Sequence, residues 1–289
     1  MQNETETPLN GFMASPVTLD YQLNYSDDLI YIGETYHTAE GDKGRMHRIS
    51  TRRDERDEPW PYYDDVSEVS NWKMTTLSKE LTGSLLPPIT TPAMAVLDKE
   101  ENIWVYFGTG RYFNNADKDD TSDQYFLGVI DSYNKDGRTD PVNLTATSNA
   151  NDYEILLDGT VNQADITFSD LVTGYKEAKG WYITLGLGTN SGERLLTKPS
   201  ILGGILLFTT FKPDNDICGH GGTSYLYALY YETRTAHIKA AIGRDDAKNL
   251  RRISLQKGKA SVINLVHQSG ILPPASFKFA VTHHTLAFG

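Results

Sequence analysis

The chain has 289 residues, enough for one large domain or two small ones, and its sheet-prone texture favours one. Lys and Arg total 27 against 38 Asp and Glu, and the net charge of −11 argues against nucleic acid and anionic membranes, whose recognition needs basic patches. The single cysteine, Cys218, excludes an internal disulfide and a Cys-rich metal or haem centre, and no apolar run reaches the ~18 residues of a membrane-spanning helix.

The first residues, MQNETETPLNG, lack the basic-then-apolar layout of a secretion signal. They fit either a chain that stays inside or a piece of a longer precursor. Short β-prone runs punctuated by Gly and Pro follow, as expected of many short strands. The first unit reads ASPVTLDY, DLIYIGET, GRMHRIST. Between its first two strands, Asp20, Gln22, Asn24 and Asp28 recur at near-regular spacing. Two readings stand: a surface turn whose Asp and Asn side chains cap their own backbone, or a small oxygen-lined loop for a cation.

The stretch TRRDERDEPWPYYDDVSEVS reads as an inserted loop, with Trp60 as a candidate exposed contact. The second unit is TTPAMAVLD, NIWVYFGTG, QYFLGVIDS. NNADKDDTSDQ then reads as a solvated acidic loop holding Asp117, Asp119, Asp120 and Asp123, the second-best metal site. DSYNKDGRTD predicts a hairpin turn at Asp136-Gly137; read as an EF-hand from Ser132 to Asn143 it lacks the bidentate Glu. DITFSDLVTGYKEA predicts a helix capped by Asp165, with Phe168, Leu171, Val172 and Tyr175 on one face.

The third unit is TKPSILGG, ILLFTTF, SYLYALYYET, and a weaker fourth begins at SLQKGKASVINLV. The pairs Gly203-Gly204 and Gly221-Gly222 read as strand turns, since no phosphate-binding glycine motif is present. Trp72, Trp104 and Trp181 fall in or beside strands as packing aromatics. His47 reads as a side chain on one strand face.

Related strand triplets at this period predict an all-β chain built as a partial or modified β-propeller of about three and a half blades. A plain β-sandwich is the alternative. A closed ring needs about four to eight blades, so the remainder must come from elsewhere or the ring stays open with an exposed edge. Residues 1–289 are read as a single domain with an atypical tail over 259–289.

Three separated motifs carry a resemblance: TTPAMAVLDKEENIWVYFGTGRYF, then GWYITL, then SGERLLTKPSILGGILLFTTFKPDNDICGHGGTSYLYAL. In this order they resemble the C-terminal propeller of the PilY family, the type IV pilus tip-associated adhesins and biogenesis factors, from about Pro16 to about Gly258. The family's N-terminal adhesive region has no counterpart here. The resemblance implies a quinoprotein-like blade architecture and a calcium loop, D-x-D-x-D-x-x-x-D, before a strand that here reads IYIGE. Carried onto this chain, the Ca²⁺ ligands are Asp20, Gln22, Asn24 and Asp28, with the Ser26 backbone carbonyl. Gln22 and Asn24 replace acids, and Tyr25 stands where the pattern prefers glycine. Fewer charges weaken calcium affinity.

What the resemblance implies for function is a non-enzymatic, calcium-responsive module at the cell surface, acting in pilus biogenesis and adhesion. The implied partners are pilus subunits or minor pilins, a host or surface ligand, and a second chain supplying the missing blades. A pyrroloquinoline quinone dehydrogenase-like propeller is one alternative, disfavoured by the single cysteine. A truncated fragment that needs a second chain is the other; the tail, VINLVHQSGILPPASFKFAVTHHTLAFG, departs from the family's Q-x-S-T-G ending.

Overall fold

Proline interrupts one edge of the first and third sheets. The computed structural model describes residues 11–23, 25–51, 69–136, 140–145, 152–186, 191–214, 221–257, 260–264 and 280–284. In the first unit, β1 (Gly11–Met13) and β2 (Val17–Leu19) lie end to end along the same edge of β3 (Leu29–Thr38), on either side of Pro16. β4 (Gly41–Ser50) and β5 (Lys73–Ser78) complete the sheet. The third unit repeats this break at Pro199, between β12 and β13 below. Proline has no N–H for a ladder bond, so pairing lapses there.

A small hairpin, β6 (Glu80–Leu81) and β7 (Ser84–Leu85), leads to the second sheet. That sheet is an antiparallel meander of β8 (Met94–Leu97), β9 (Ile103–Gly108), β10 (Tyr125–Asp131) and β11 (Gly180–Thr184). Between β10 and β11 come the short α1 (Tyr133–Asp136) and α2 (Phe168–Glu177). The third sheet holds β12 (Arg194–Leu195), β13 (Ser200–Leu202), β14 (Ile205–Pro213), β15 (Gly222–Tyr230) and β16 (Arg252–Lys257). Among the described residues, β17 (Ala260–Asn264) and β18 (Ala280–His284) form a two-stranded pair.

The second sheet is covered on both faces. Along β9 the period of two splits the side chains: Trp104 and Tyr106 enter a core shared with the third sheet, whereas Ile103, Val105 and Phe107 enter a core shared with the first. β10 sends Phe126 and Ile130 one way and Leu127 and Val129 the other. A strand buried on both faces must read as a continuous apolar run, and IWVYFG does. Across the second and third sheets Phe126 stacks on Phe208 at 3.8 Å between centroids, nearly coplanar at 2°. Three sheets therefore stand in series, rather than two facing layers.

The all-β expectation holds, and each predicted triplet gains a fourth strand, β5, β11 or β16. Four local expectations are corrected. The predicted fourth unit does not begin at SLQK, because residues 254–257 belong to β16 and close the third sheet on β15. The α2 cap is Thr167: its hydroxyl accepts from the Asp170 N–H, and Asp170 reciprocates in a capping box, while Asp165 sits at φ +64 outside the helix. Leu171 and Tyr175 are buried as predicted. Asp136, predicted in a hairpin turn, is the last residue of α1, while Gly137 lies outside the described residues; the Asn143 side chain accepts from the N–H groups of Lys79 and Glu80. Asp117 is buried rather than solvated. Trp104 and Trp181 are core residues, whereas Trp72 is 38% exposed. Gly203 and Gly204 occupy positive φ in the β13–β14 turn, as their pairing predicts. Trp60 and Cys218 lie outside the described residues.

Candidate cation loop and the buried charge clusters

Residues 20–28 are the loop of the β2–β3 hairpin, closed where the Asp28 N–H donates to the Leu19 carbonyl at 3.0 Å. The Asp28 side chain is fully buried. Its Oδ2 accepts from the backbone N–H of Tyr21 at 3.0 Å and of Gln22 at 3.1 Å. Asp20 Oδ2 accepts from the Tyr25 N–H at 2.7 Å. Thr51 clamps the exit: its N–H donates to the Asp28 carbonyl, and its hydroxyl to the Asp27 carbonyl at 2.6 Å. Leu23 and Tyr25 both adopt positive φ, +56 and +68, a region that costs a side-chain-bearing residue energy. Both side chains point into solvent.

The structure thus draws Asp20 and Asp28 onto the backbone of one loop. Gln22 and Ser26 are half-buried members of it, and Asn24 lies outside the described residues. The bonds seen are those of the backbone-capping turn. The donor set is all oxygen, the chemistry a hard divalent cation takes, about six to eight such ligands for calcium. A carboxylate oxygen that accepts an N–H retains further lone pairs, so the turn's own bonds do not conflict with a cation.

A second acidic group was not visible in the sequence. Among the described residues, Asp98, Glu100 and Glu232 are the one set of three acidic, His or Cys side chains close enough to share a metal ion. The Lys176 ammonium already holds their centre, 3.3 Å from Asp98, 2.7 Å from Glu232, and bonded to Glu100. Burial works against its charge, but hydrogen bonds to Glu100 and Glu232 and the Glu232 and Asp98 charges outweigh it and raise its pKa. Asp98 moves the other way: burial pushes it up, yet bonds from Asn102 and Trp104 and the Lys176 charge bring it below the usual value. Lys176 lies on α2, far from Asp98 in the sequence, so neither motif nor spacing announces the cluster.

The quoted motifs prove to touch. Arg194, 1% exposed, donates to the carbonyls of Arg111 and Asp117, both at 2.7 Å, and of Asp120 and Gly192. Leu195 N–H donates to the Thr109 carbonyl. Gly110 has φ +144, and a Cβ there would come within 2.6 Å of the Arg194 Cβ. FGTGRYF and GER thus form one joint between the second and third sheets. Glu193, fully buried, accepts from Thr210 at 2.6 Å and Tyr227 at 2.8 Å and pairs with Arg252. Arg48, on the first sheet, pairs with Asp131 on the second; Tyr31 donates to the same carboxylate at 2.8 Å. His47 bonds Glu34 at 2.7 Å, a strand-face role.

No family model matches the sequence. A type IV pilus biogenesis factor PilY1 homolog of Xylella fastidiosa is 30% identical over 163 residues, 55% of this chain and 13% of that protein. The type IV pilus biogenesis factor PilY1 of Pseudomonas aeruginosa is 29% identical over 144 residues, 43% of this chain and 12% of that protein. The crystal structure of the P. aeruginosa PilY1 C-terminal domain superposes with a TM-score of 0.65 at 19% identity, over 96% of this chain and 60% of that one. The chain is a relative of the PilY C-terminal domain. It spans only a small part of the full-length PilY1 proteins and 60% of the solved domain. The joint just described gives FGTGRYF and GER a packing role.

Proposed function

We propose that the chain is a type IV pilus-associated module that acts in pilus biogenesis without enzymatic activity, its three sheets being consecutive blades of a β-propeller. The reading is supported by the pilus biogenesis factors it resembles and by the serial stacking of its sheets. The blades not supplied here would come from further chain or a second polypeptide. Its place would be the cell surface, with pilus subunits as partners and adhesion as a further role. Nothing observed favours quinone-dependent dehydrogenation. The test is a graft: this chain replaces the matching segment of P. aeruginosa PilY1, and twitching motility and surface pilin are measured. Restored motility supports the reading. A chimera that is folded and exported but leaves the cells unpiliated overturns it.

The loop is proposed to bind Ca²⁺ through Asp20, Gln22, Asn24, the Ser26 carbonyl and Asp28. The observation carrying this is the placement of two carboxylates, one fully buried, on a single oxygen-rich loop. Two formal charges place the affinity with weak extracellular sites, on the order of 10⁻⁴–10⁻³ M. Filling the loop would fix the β2–β3 junction, and a partner that reads this face would favour one state. Calorimetric titration should show heat with the natural chain and none with Asp20→Ala. Heat from both, or from neither, removes Asp20 as a calcium ligand.

A further inference from the structure

The rest of the chain treats the two faces of the first sheet differently. Side chains alternate along β3 and β4. Leu29 and Tyr31 of β3 and Met46 of β4 enter the core shared with the second sheet. The intervening residues Ile30, Ile32 and Ile49 take the opposite face and are half-buried. The register aligns Ile30 with Ile49 and Ile49 with Met74, so three apolar side chains form a row across β3, β4 and β5. Met74 is 48% exposed. Among the described residues, none of these four joins any of the three apolar clusters. The polar end of the same face is neutralised within its own plane, where Glu34 pairs with Arg45 and with His47.

The other end of the stack is closed. On the outer face of the third sheet Leu207, Leu226 and Ala228 are buried, Ile242 packs against them, and β17 lies against β14 and β15. We infer that the outer face of the first sheet is the docking surface for a further antiparallel β-sheet with an apolar, uncharged face, seated on Ile30, Ile32, Ile49 and Met74. The inference rests on the propeller reading and gives it an interface and a direction of growth.

Three observations select a sheet as the occupant. The row has a counterpart on the second sheet, where Ala95, Val105 and Val129 align across β8, β9 and β10 and are buried against the first sheet. The in-plane pairing of Glu34 leaves no charge for the occupant to answer, and an unpaired charge pressed against the row would be costly to bury. The solved PilY1 C-terminal domain is longer than its match to this chain, which covers 60% of it, so a domain of that kind has further chain from which to build such a sheet.

The test asks whether the face becomes covered when the rest of a propeller is supplied. Met74→Cys and Ile49→Cys are made singly in the isolated chain and in the P. aeruginosa PilY1 chimera. Maleimide labelling at each position is followed by mass spectrometry, and urea unfolding checks that each protein is folded. Both cysteines should react in the isolated chain, and at least about tenfold more slowly in the chimera, where reaction waits on local opening. Equal rates would overturn the inference. So would slow labelling of both in the isolated chain, which would mean that the chain covers this face itself, or a chimera that does not fold around the graft. Motility keeps the two readings apart. Protection without restored motility upholds the docking and sinks the pilus assignment, while motility with equal rates sinks the docking alone.

Discussion

Two acidic regions of this molecule solve the same electrostatic problem differently. In the Asp98–Glu100–Glu232 cluster a lysine of the chain itself sits at the centre. In the 20–28 loop Asp28 accepts from the Tyr21 and Gln22 N–H groups and Asp20 from that of Tyr25. By proximity alone the first cluster is the better metal site. Its cation is built in, so its acids serve packing between α2 and the turns before β9 and after β15. On the loop these carboxylates accept from backbone dipoles, and the proposed Ca²⁺ would be an added charge rather than a built-in one.

The comparison breaks most readily at Lys176. Lys176→Met should destabilise the fold by about 3 kcal/mol, because it leaves three carboxylates, two of them buried, without their counter-charge. Urea unfolding measures this. Millimolar Ca²⁺ should then recover part of the lost stability in the variant, an effect missing from the natural chain's cluster. If the substitution is neutral, the ammonium is not what holds the acids together.

The pH profile sharpens the same point. The folded-state pKa of Asp98 is depressed, so its stabilising contribution is present above the ordinary carboxylate pKa of 3.8 and lost as pH falls below it. That of Lys176 is raised, so its contribution is complete below 10.5 and lost as pH climbs through the higher folded value. The urea midpoint should therefore decline below about pH 4 and again above about pH 10.5. Lys176→Met should reduce the alkaline decline and leave the part that comes from Tyr31, Tyr106 and Tyr227, whose pKa values burial raises.

On the loop, the two aspartates should separate by burial. Asp28→Ala removes the acceptor of two N–H bonds at a fully buried position and should cost about 1–3 kcal/mol. Asp20→Ala removes one exposed bond and should cost about 0.5–1 kcal/mol. Equal costs would mean that the loop is not anchored at its Asp28 end. Smallest is Tyr25→Gly, which should stabilise by about 0.5 kcal/mol, since glycine relieves the φ of +68 at an exposed position but is more flexible when unfolded. A melting curve resolves the sign.

The elements most legible in the sequence were those whose signal is local. Strand runs such as IWVYFG, the Gly203-Gly204 turn and the face of α2 follow from side-chain period and backbone permissiveness. The repeat was readable because proline marks the same break in related sheets. What escaped depended on contacts between distant residues. Asp117 looks solvated in NNADKDDTSDQ, but Arg111 and the N–H groups of Phe113 and Asn114 hold it in the interior. The Lys176 cluster joins α2 to two turns, and no spacing rule spans that separation. The Asp165 cap failed because Thr167, two residues on, makes the reciprocal pair with Asp170.

The meander order of each sheet has a consequence for synthesis. Strands that pair with their sequence neighbours can assemble while the ribosome is still working, one sheet at a time. Of the three sheets the first emerges earliest, and the face that carries Leu29, Tyr31 and Met46 is only partly covered, by Leu81, Leu86 and Ile89, until β9 and β10 have left the exit tunnel. During that interval the nascent chain is adhesive towards its neighbours. A pause in translation between residues 78 and 103 would lengthen the exposure and favour aggregation.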